Sequence, residues 1–297
     1  MFLQDRLYQA IITAIGAGKI ALKIYEEYKA KSKLENYEVF DRAYALKADN
    51  SPITMADIES NNHITQRLST LDDYEICSEE GVLDYAIRRD LEAYWLVDPL
   101  DGTKDFLAGI GEWTINIALI KGSHVSLGVV CAPCVGRLYF AEAGRGSFSM
   151  DLSPLRGDEP SQEYIEQSSI RLYGGARKAK RDARLLACDS RFHSAEKTEE
   201  FIEKYGLDTL RLGSSLKICA LASGQADIYP RFNGTKEWDT AASDIILRES
   251  GGLIIDYESK QPLLYNKENL ENNHFIAFGS AQIGNRIYQD LLSGNIL

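Results

Sequence analysis

Trp95-Leu-Val-Asp-Pro-Leu-Asp-Gly-Thr-Lys-Asp-Phe106 is the stretch from which the fold can be read outward. Tyr94 to Val97 has the length and composition of a buried strand. Asp98 and Asp101 follow, with Pro99 between them. Proline has no N–H and a fixed φ, so the chain is expected to leave the strand in a turn at Pro99. Asp101-Gly102-Thr103 then opens a helix or a tight loop headed by backbone N–H groups. Two carboxylates and the Leu100 carbonyl would converge there beside an anion cradle, which is what a hard divalent cation and a phosphate need. A strand ending in a polar turn accounts for the same residues, since Asp-Pro and Asp-Gly are common turn dipeptides.

Upstream, Leu7, Ile11, Ile15, Leu22 and Tyr25 fall on one face of a helix expected over residues 5 to 28. Gly16 and Gly18 lower helix propensity there and point to a close packing contact. Residues 29 to 50 read as strand or loop. Thr54 followed by Asp57 fits a capping box ahead of Ile58, Ile64, Leu68 and Leu71. Taken alone, Asp57 is therefore a capping acid. Tyr74 to Gly81 reads as a short strand ending in Glu79-Glu80, two carboxylates that repel unless a cation or solvent neutralises them.

Downstream, strands are expected at Thr114 to Lys121, His124 to Val130, Arg137 to Glu142 and Ser147 to Met150, an antiparallel meander. Residues 151 to 182 are polar and irregular, and Arg177-Lys-Ala-Lys-Arg181 reads as a solvated basic loop. A boundary there gives two domains. Residues 1–165 form an α+β unit carrying most of the acids, and residues 166–297 form an α/β unit carrying Asp239. In the second unit strands alternate with helices at Ala195 to Tyr205, Leu216 to Ser223, Thr240 to Ser250 and from 281 to about 292. Ser214 or Ser215 would cap the second of these, and Asp239 lies near the start of the third.

Composition narrows the function. The 297 residues suffice for a large core, and 44% hydrophobic with 26% charged content belongs to a soluble globular protein. The net charge of -11 argues against a nucleic-acid polymer or an anionic membrane surface as partner, though not against a small phosphorylated ligand bound through a metal. No apolar run long enough to cross a bilayer is expected, and the N-terminal residues lack the order of a signal peptide, so a cytoplasmic location is the default. Loose attachment to the inner membrane stays compatible with this. Five cysteines read as reduced thiols, including the Cys131-Ala-Pro-Cys134 pair on a hairpin. Glu79, Asp98, Asp101 and Asp239 each end a strand or start a helix. If they converge, they make an all-oxygen site suited to Mg²⁺ or Mn²⁺, and the four isolated histidines support no histidine-based metal site. Paired acids also serve glycosidases, but that chemistry gives no reason for an Asp-Gly-Thr cradle.

Four segments, in order, carry a resemblance over nearly the whole chain. Asp98-Pro-Leu-Asp-Gly-Thr103 and Trp238-Asp-Thr-Ala-Ala242 with Gly251-Gly252 resemble the two signatures of the inositol monophosphatase superfamily. Ser78-Glu-Glu80 and Thr54-Met-Ala-Asp57 resemble its upstream acidic and threonine–aspartate segments. Gly213-Ser-Ser-Leu-Lys217, Ala226-Asp-Ile-Tyr-Pro-Arg231 and Asp189-Ser-Arg-Phe-His193 resemble the bacterial CysQ type, the 3′(2′),5′-bisphosphate nucleotidases, with Phe192 standing where a small polar residue is expected.

The resemblance implies a layered α/β/α/β/α sugar-phosphatase fold, often dimeric. It implies Mg²⁺ bound by Glu79, Asp98, Asp101, Asp239 and the Leu100 carbonyl, in two or three ions, with Mn²⁺ as substitute and Li⁺ and Ca²⁺ as inhibitors. Asp57 and Thr103 would orient and deprotonate the attacking water, and this implied role overrides the capping reading of Asp57. Gly102 and Thr103 N–H groups would hold the scissile phosphate. Ser214, Lys217 and Arg231, with His193, would face the nucleotide and its second phosphate. The implied reaction is removal of the 3′-phosphate of adenosine 3′,5′-bisphosphate, with 3′-phosphoadenosine 5′-phosphosulfate as a further substrate. Two other readings compete. An inositol-phosphate or other sugar-phosphate phosphatase shares the metal site. A non-catalytic nucleotide or metal sensor has no need of a base at Asp57.

Overall fold

The computed structural model describes residues 3–34, 44–46, 52–153, 159–175, 184–192, 194–280, 282 and 285–296. The first half contains α1 (Asp5–Leu34), β1 (Tyr44–Leu46), β2 (Pro52–Thr54), α2 (Met55–Ser69), β3 (Glu75–Ser78), α3 (Tyr85–Arg88), β4 (Ala93–Asp101), α4 (Thr103–Leu107), β5 (Thr114–Lys121), β6 (His124–Ala132), β7 (Arg137–Glu142) and β8 (Gly146–Asp151). Next come α5 (Gln162–Ser168), β9 (Ile170–Arg171), β10 (Leu186–Ser190), α6 (Glu196–Tyr205), β11 (Asp208–Leu212), α7 (Leu216–Ala222) and β12 (Ile228–Arg231). The chain closes with β13 (Thr235–Lys236), α8 (Glu237–Glu249), β14 (Leu253–Asp256), β15 (Glu271–Asn272), β16 (Phe275–Phe278) and α9 (Asn285–Ser293).

Alternation along β4 sets the layers. Trp95 and Val97 face α1 and α2, packing with Ile11, Ile15, Ile64 and Leu68. Tyr94 and Leu96 face the other way, onto Leu221 of α7 and Ile245 of α8. The same middle core takes Tyr229 and Ala277 from one face of the second sheet. The opposite face of that sheet gives Ile228, Ile276 and Phe278 to a third core with Phe201 of α6 and Leu291 of α9. Period-two strands buried on both faces thus produce helices, sheet, helices, sheet, helices, as the layered reading requires.

The first sheet has the order β3-β4-β5-β6-β7-β8-β9. It is the expected antiparallel meander, with β3 added parallel to β4. The second has the order β11-β10-β12-β16-β14, with β10 parallel to β11 and β12 and with β16 antiparallel to its neighbours. β1–β2 and β13–β15 are small separate pairs.

Several sequence expectations change. β4 does not end at Pro99. Its pairing with β5 passes from Asp98↔Asn116 to Asp101↔Thr114, so Pro99 and Leu100 stand opposite Ile115 alone in a bulge. Proline's missing N–H costs no ladder bond in such a place. The extra residue also reverses the alternation, so Asp98 and Asp101, which would point to opposite faces of a regular strand, share one face.

α1 runs past residue 28, and over Asp5–Ala30 it is long and apolar enough to cross a membrane by composition, against the expectation that no run was. Its apolar face is instead committed to the first core. Gly16 marks the close contact predicted for it: a Cβ there would lie 2.3 Å from His63 Nε2.

The region read as irregular contains α5, capped where Ser161 Oγ accepts the Tyr164 N–H at 3.2 Å. The cut expected at residue 165 falls inside this helix, and β9 beyond it still pairs with β8 in the first sheet. The basic run Arg177–Arg181 lies outside the described residues. Cys131 and Cys134 are free thiols, as expected.

Candidate active site

Four element ends come together: the starts of α2, α4 and α8 and the bulged end of β4. At α2 the capping box forms as read. Thr54 Oγ1 accepts from the Ala56 and Asp57 N–H groups at 3.1 and 3.4 Å, and Asp57 Oδ2 accepts from Thr54 N at 2.7 Å and Thr54 Oγ1 at 2.5 Å. The other oxygen, Oδ1, accepts the Thr103 hydroxyl at 3.2 Å. The cap on α2 and the contact to α4 are therefore made by different oxygens of one carboxylate. Burial pushes Asp57 up to about 6; the Thr54 bonds pull it down and the nearby Glu79 and Glu80 charges push it up. The Leu100 carbonyl lies 3.3 Å from Thr103 Oγ1 and competes for the same proton.

Asp98, Asp101 and Asp239 bring ligand oxygens within 4.8 Å of one another. Each is oriented by main chain: Asp98 Oδ1 by Leu100 N at 3.0 Å, Asp101 Oδ2 by Ser215 N at 2.7 Å, and Asp239 Oδ2 by Lys236 N at 2.8 Å. Burial raises all three, Asp98 well above the carboxylate range and Asp239 to about 8. For Asp98 the next cause is repulsion from Glu79, Asp101 and Asp239. For Asp101, Lys217 and the bonds from Ser215 and Asn116 pull the other way. Three mutually repelling, all-oxygen donors, Asp98 buried and Asp101 and Asp239 half-buried, fit a hard divalent cation. Glu79 stands outside this tight cluster but on the same cavity wall, and its charge reaches Asp57, Asp98 and Asp239.

α4 starts from Gly102 in the left-handed region, at φ 94° and ψ 39°. A side chain would be strained there and would crowd Ser214 Cβ at 3.3 Å. The N–H groups of Gly102 and Thr103 head the helix, where no preceding turn offers a carbonyl.

The cavity has a volume of about 510 Å³ and runs from Glu79, Asp101, Gly102, Thr103 and Asp239 to Ser214, Lys217 and Arg231. Lys217 is not the solvent-facing lysine that its helix position also allowed. It is 6% exposed, donates to the Ser214 carbonyl at 2.6 Å and lies 5.6 Å over the Tyr229 ring. Burial lowers its pKa, opposed by the Asp101 charge. Arg231, also buried, donates to the Gly234 carbonyl at 3.1 Å. Ser214 is held at φ 41°, with its hydroxyl donating to the Glu112 carbonyl at 2.9 Å. His193 lies outside the described residues; Ser190, nearby in the chain, lines the cavity.

Ser215 precedes α7 but does not cap it with its side chain. Its hydroxyl donates to the Asp239 carbonyl at 2.8 Å and accepts from Asn116 Nδ2 at 2.9 Å, tying α7 to α8 and β5. Sequence reading missed Asn116, and it missed Glu112, whose carboxylate accepts from Gly213 N at 2.9 Å and pairs with Arg191 at 2.9 Å. It also missed the buried Asp105. The one usable signal for Asn116 was a polar residue inside an otherwise apolar strand.

A sequence model of the inositol monophosphatase family matches residues 4–290, and the chain belongs to that family. Within it, the chain is 35% identical over 256 residues to the 3′(2′),5′-bisphosphate nucleotidase CysQ of Salmonella typhimurium, covering 86% of this chain and 92% of that protein. It is 38% identical over 221 residues to the protein of the same name from Escherichia coli strain K12, covering 74% and 81%. The crystal structure of CysQ from Bacteroides thetaiotaomicron superposes with a TM-score of 0.77 at 37% identity, over 93% of this chain and 97% of that one. An inositol monophosphatase from Thermotoga maritima shares the fold at a TM-score of 0.69 and 21% identity, over 98% of this chain and 96% of that one.

Proposed function

We propose that this chain is a divalent-metal-dependent 3′(2′),5′-bisphosphate nucleotidase that hydrolyses adenosine 3′,5′-bisphosphate to AMP and phosphate. The observation that carries the reading is the division of charge within one cavity. Half-buried Glu79, Asp101 and Asp239 line it from β4 and the starts of neighbouring elements, and buried Lys217 and Arg231 line it from α7 and β12. A substrate with two phosphates uses both ends, whereas an inositol monophosphate leaves the second without an anion.

Asp98, Asp101 and Asp239, with Glu79 and the Leu100 carbonyl, would hold Mg²⁺, with Mn²⁺ as substitute and Li⁺ and Ca²⁺ as inhibitors. When bound, such ions neutralise phosphoryl charge and acidify water. The chain does the rest. The Gly102 and Thr103 N–H groups hold the oxygens of the scissile phosphate. The Thr103 hydroxyl orients the water, and Asp57 Oδ1, tied to that hydroxyl, takes the proton. A carboxylate at about 6 is ionised at neutral pH yet basic enough for the task. Ser214, Lys217 and Arg231 face the 5′-phosphate.

Phosphate release from adenosine 3′,5′-bisphosphate and from inositol 1-phosphate, compared with Mg²⁺ and with or without Li⁺, tests the reading. A nucleotide preference of about 10-fold or more is expected, since a hydrogen bond to a charged group is worth ~1.5–3 kcal/mol. Preference for the inositol ester would make the chain a sugar-phosphate phosphatase. Mg²⁺ binding without release from either substrate would leave a sensor.

A further inference from the structure

Three helices place an aspartate at their third residue around this site: Asp57 on α2, Asp105 on α4 and Asp239 on α8. Two behave alike. Asp57 and Asp239 each turn an oxygen back to the N–H of the residue preceding the helix, Thr54 and Lys236. Asp105 cannot do so, because α4 starts from Gly102 in the left-handed region rather than from the extended N-cap that a capping box uses. Its Oδ1 finds no donor among the described residues. The residue is only 5% exposed, yet it lines the cavity.

The placement is built. Gly213 makes room for the carboxylate, since a Cβ at that position would lie 2.8 Å from Asp105 Oδ1. A buried carboxylate oxygen without a donor is costly and asks for a partner. Its position in the chain indicates which one. Asp105 follows Gly102 and Thr103 of the phosphate cradle by three and two residues, and its charge acts on Lys217. A phosphate is excluded as its partner by like charge. In a nucleoside 3′,5′-bisphosphate, the group between the two phosphates is the ribose. Its one remaining hydroxyl, at C2′, is a donor.

We infer that Asp105 accepts a hydrogen bond from the ribose hydroxyl next to the scissile phosphate and so selects ribose over deoxyribose. The inference rests on the nucleotidase reading above. It is tested by kcat/KM for adenosine 3′,5′-bisphosphate and its 2′-deoxy counterpart, both with Mg²⁺, in the wild type, Asp105→Ala and Asp105→Asn.

The wild type should prefer the ribose substrate by about 10-fold or more, the size of one hydrogen bond to a charged acceptor. Asp105→Ala should bring the ratio to about 1. Asp105→Asn, which keeps the shape and a neutral acceptor, should lower it by at least about threefold, so the test survives if the alanine variant fails to fold. A ratio unchanged in Asp105→Asn, or absent in the wild type while both bisphosphates turn over, would overturn the assignment of Asp105 alone. A wild type that cleaves inositol 1-phosphate but neither bisphosphate would overturn the nucleotidase reading with it.

Discussion

At the β4 end of the cavity, Asp98, Asp101 and Asp239 bring oxygens within 4.8 Å of one another, and each is held by a backbone N–H. At the α7 end, Lys217 and Arg231 reach along flexible side chains to the carbonyls of Ser214 and Gly234. The acids repel one another and gain nothing from being together unless a cation arrives. The cations are separately tethered, and an arriving phosphate has to compete with carbonyls that they already hold. On the proposed reading, the acid end, held by backbone N–H groups, serves the reacting centre. On the same reading, the cation end, held through side chains, serves binding. Substitution should therefore stop chemistry at one end and change affinity at the other.

Asp98→Asn tests the stronger half. Turnover of any phosphomonoester should fall by at least about 10³-fold, the scale of removing a charge-stabilising group from a reacting centre. The circular dichroism spectrum should stay unchanged, because the amide keeps the shape of the carboxylate and removes a repelling charge. Near-normal turnover would mean that the acid end does not hold the ion.

The two ends also differed in how well they could be read from sequence. Asp98, Asp101 and Asp239 stand out because acids beside apolar runs are conspicuous, and their spacing survives the replacement of the expected turn at Pro99 by a bulge. Asp57 read as a cap or a base turned out to be hydrogen-bonded on both oxygens. The meander and the alternating second half followed from periodicity. Asn116, Glu112 and Asp105 were not legible, because their roles depend on strands and helices far apart in sequence. Glu112, for example, meets Gly213 only when β11 is laid into the second sheet. Burial of Lys217 was hidden for the same reason: its helix is enclosed on all sides by tertiary packing, and periodicity shows only one face.

Lys217→Ala sharpens the binding half. KM for adenosine 3′,5′-bisphosphate should rise about 10- to 100-fold, the worth of one charged hydrogen bond. For inositol 1-phosphate, which brings no second phosphate, it should move by less than about threefold. Equal changes on both substrates would show that Lys217 shapes the cavity without reading the nucleotide.

The smallest effect is thermodynamic, and it asks whether the acid end is incomplete without a cation. Asp239 is pushed from 3.8 to about 8, and Asp98 and Asp101 are raised as well. A carboxyl with a raised folded-state pKa binds more protons folded than unfolded between its two values. Stability should therefore fall as pH rises from about 5 to 8 when a chelator keeps cations away, lowering Tm by about 3 °C or more. Mg²⁺ binds the deprotonated cluster, so its stabilising effect should grow over the same range and flatten the slope. Asp57, Asp105 and Asp244, each pushed to about 6 by burial, add to the slope with the same sign. The Mg²⁺-dependent part is what isolates Asp98, Asp101 and Asp239, and Asp98→Asn should shrink that part. Melting curves with equal Mg²⁺ stabilisation at pH 5 and pH 8 would mean that the three acids do not act as one cation site. The contrast between the two ends of the cavity would then fail at its acidic end.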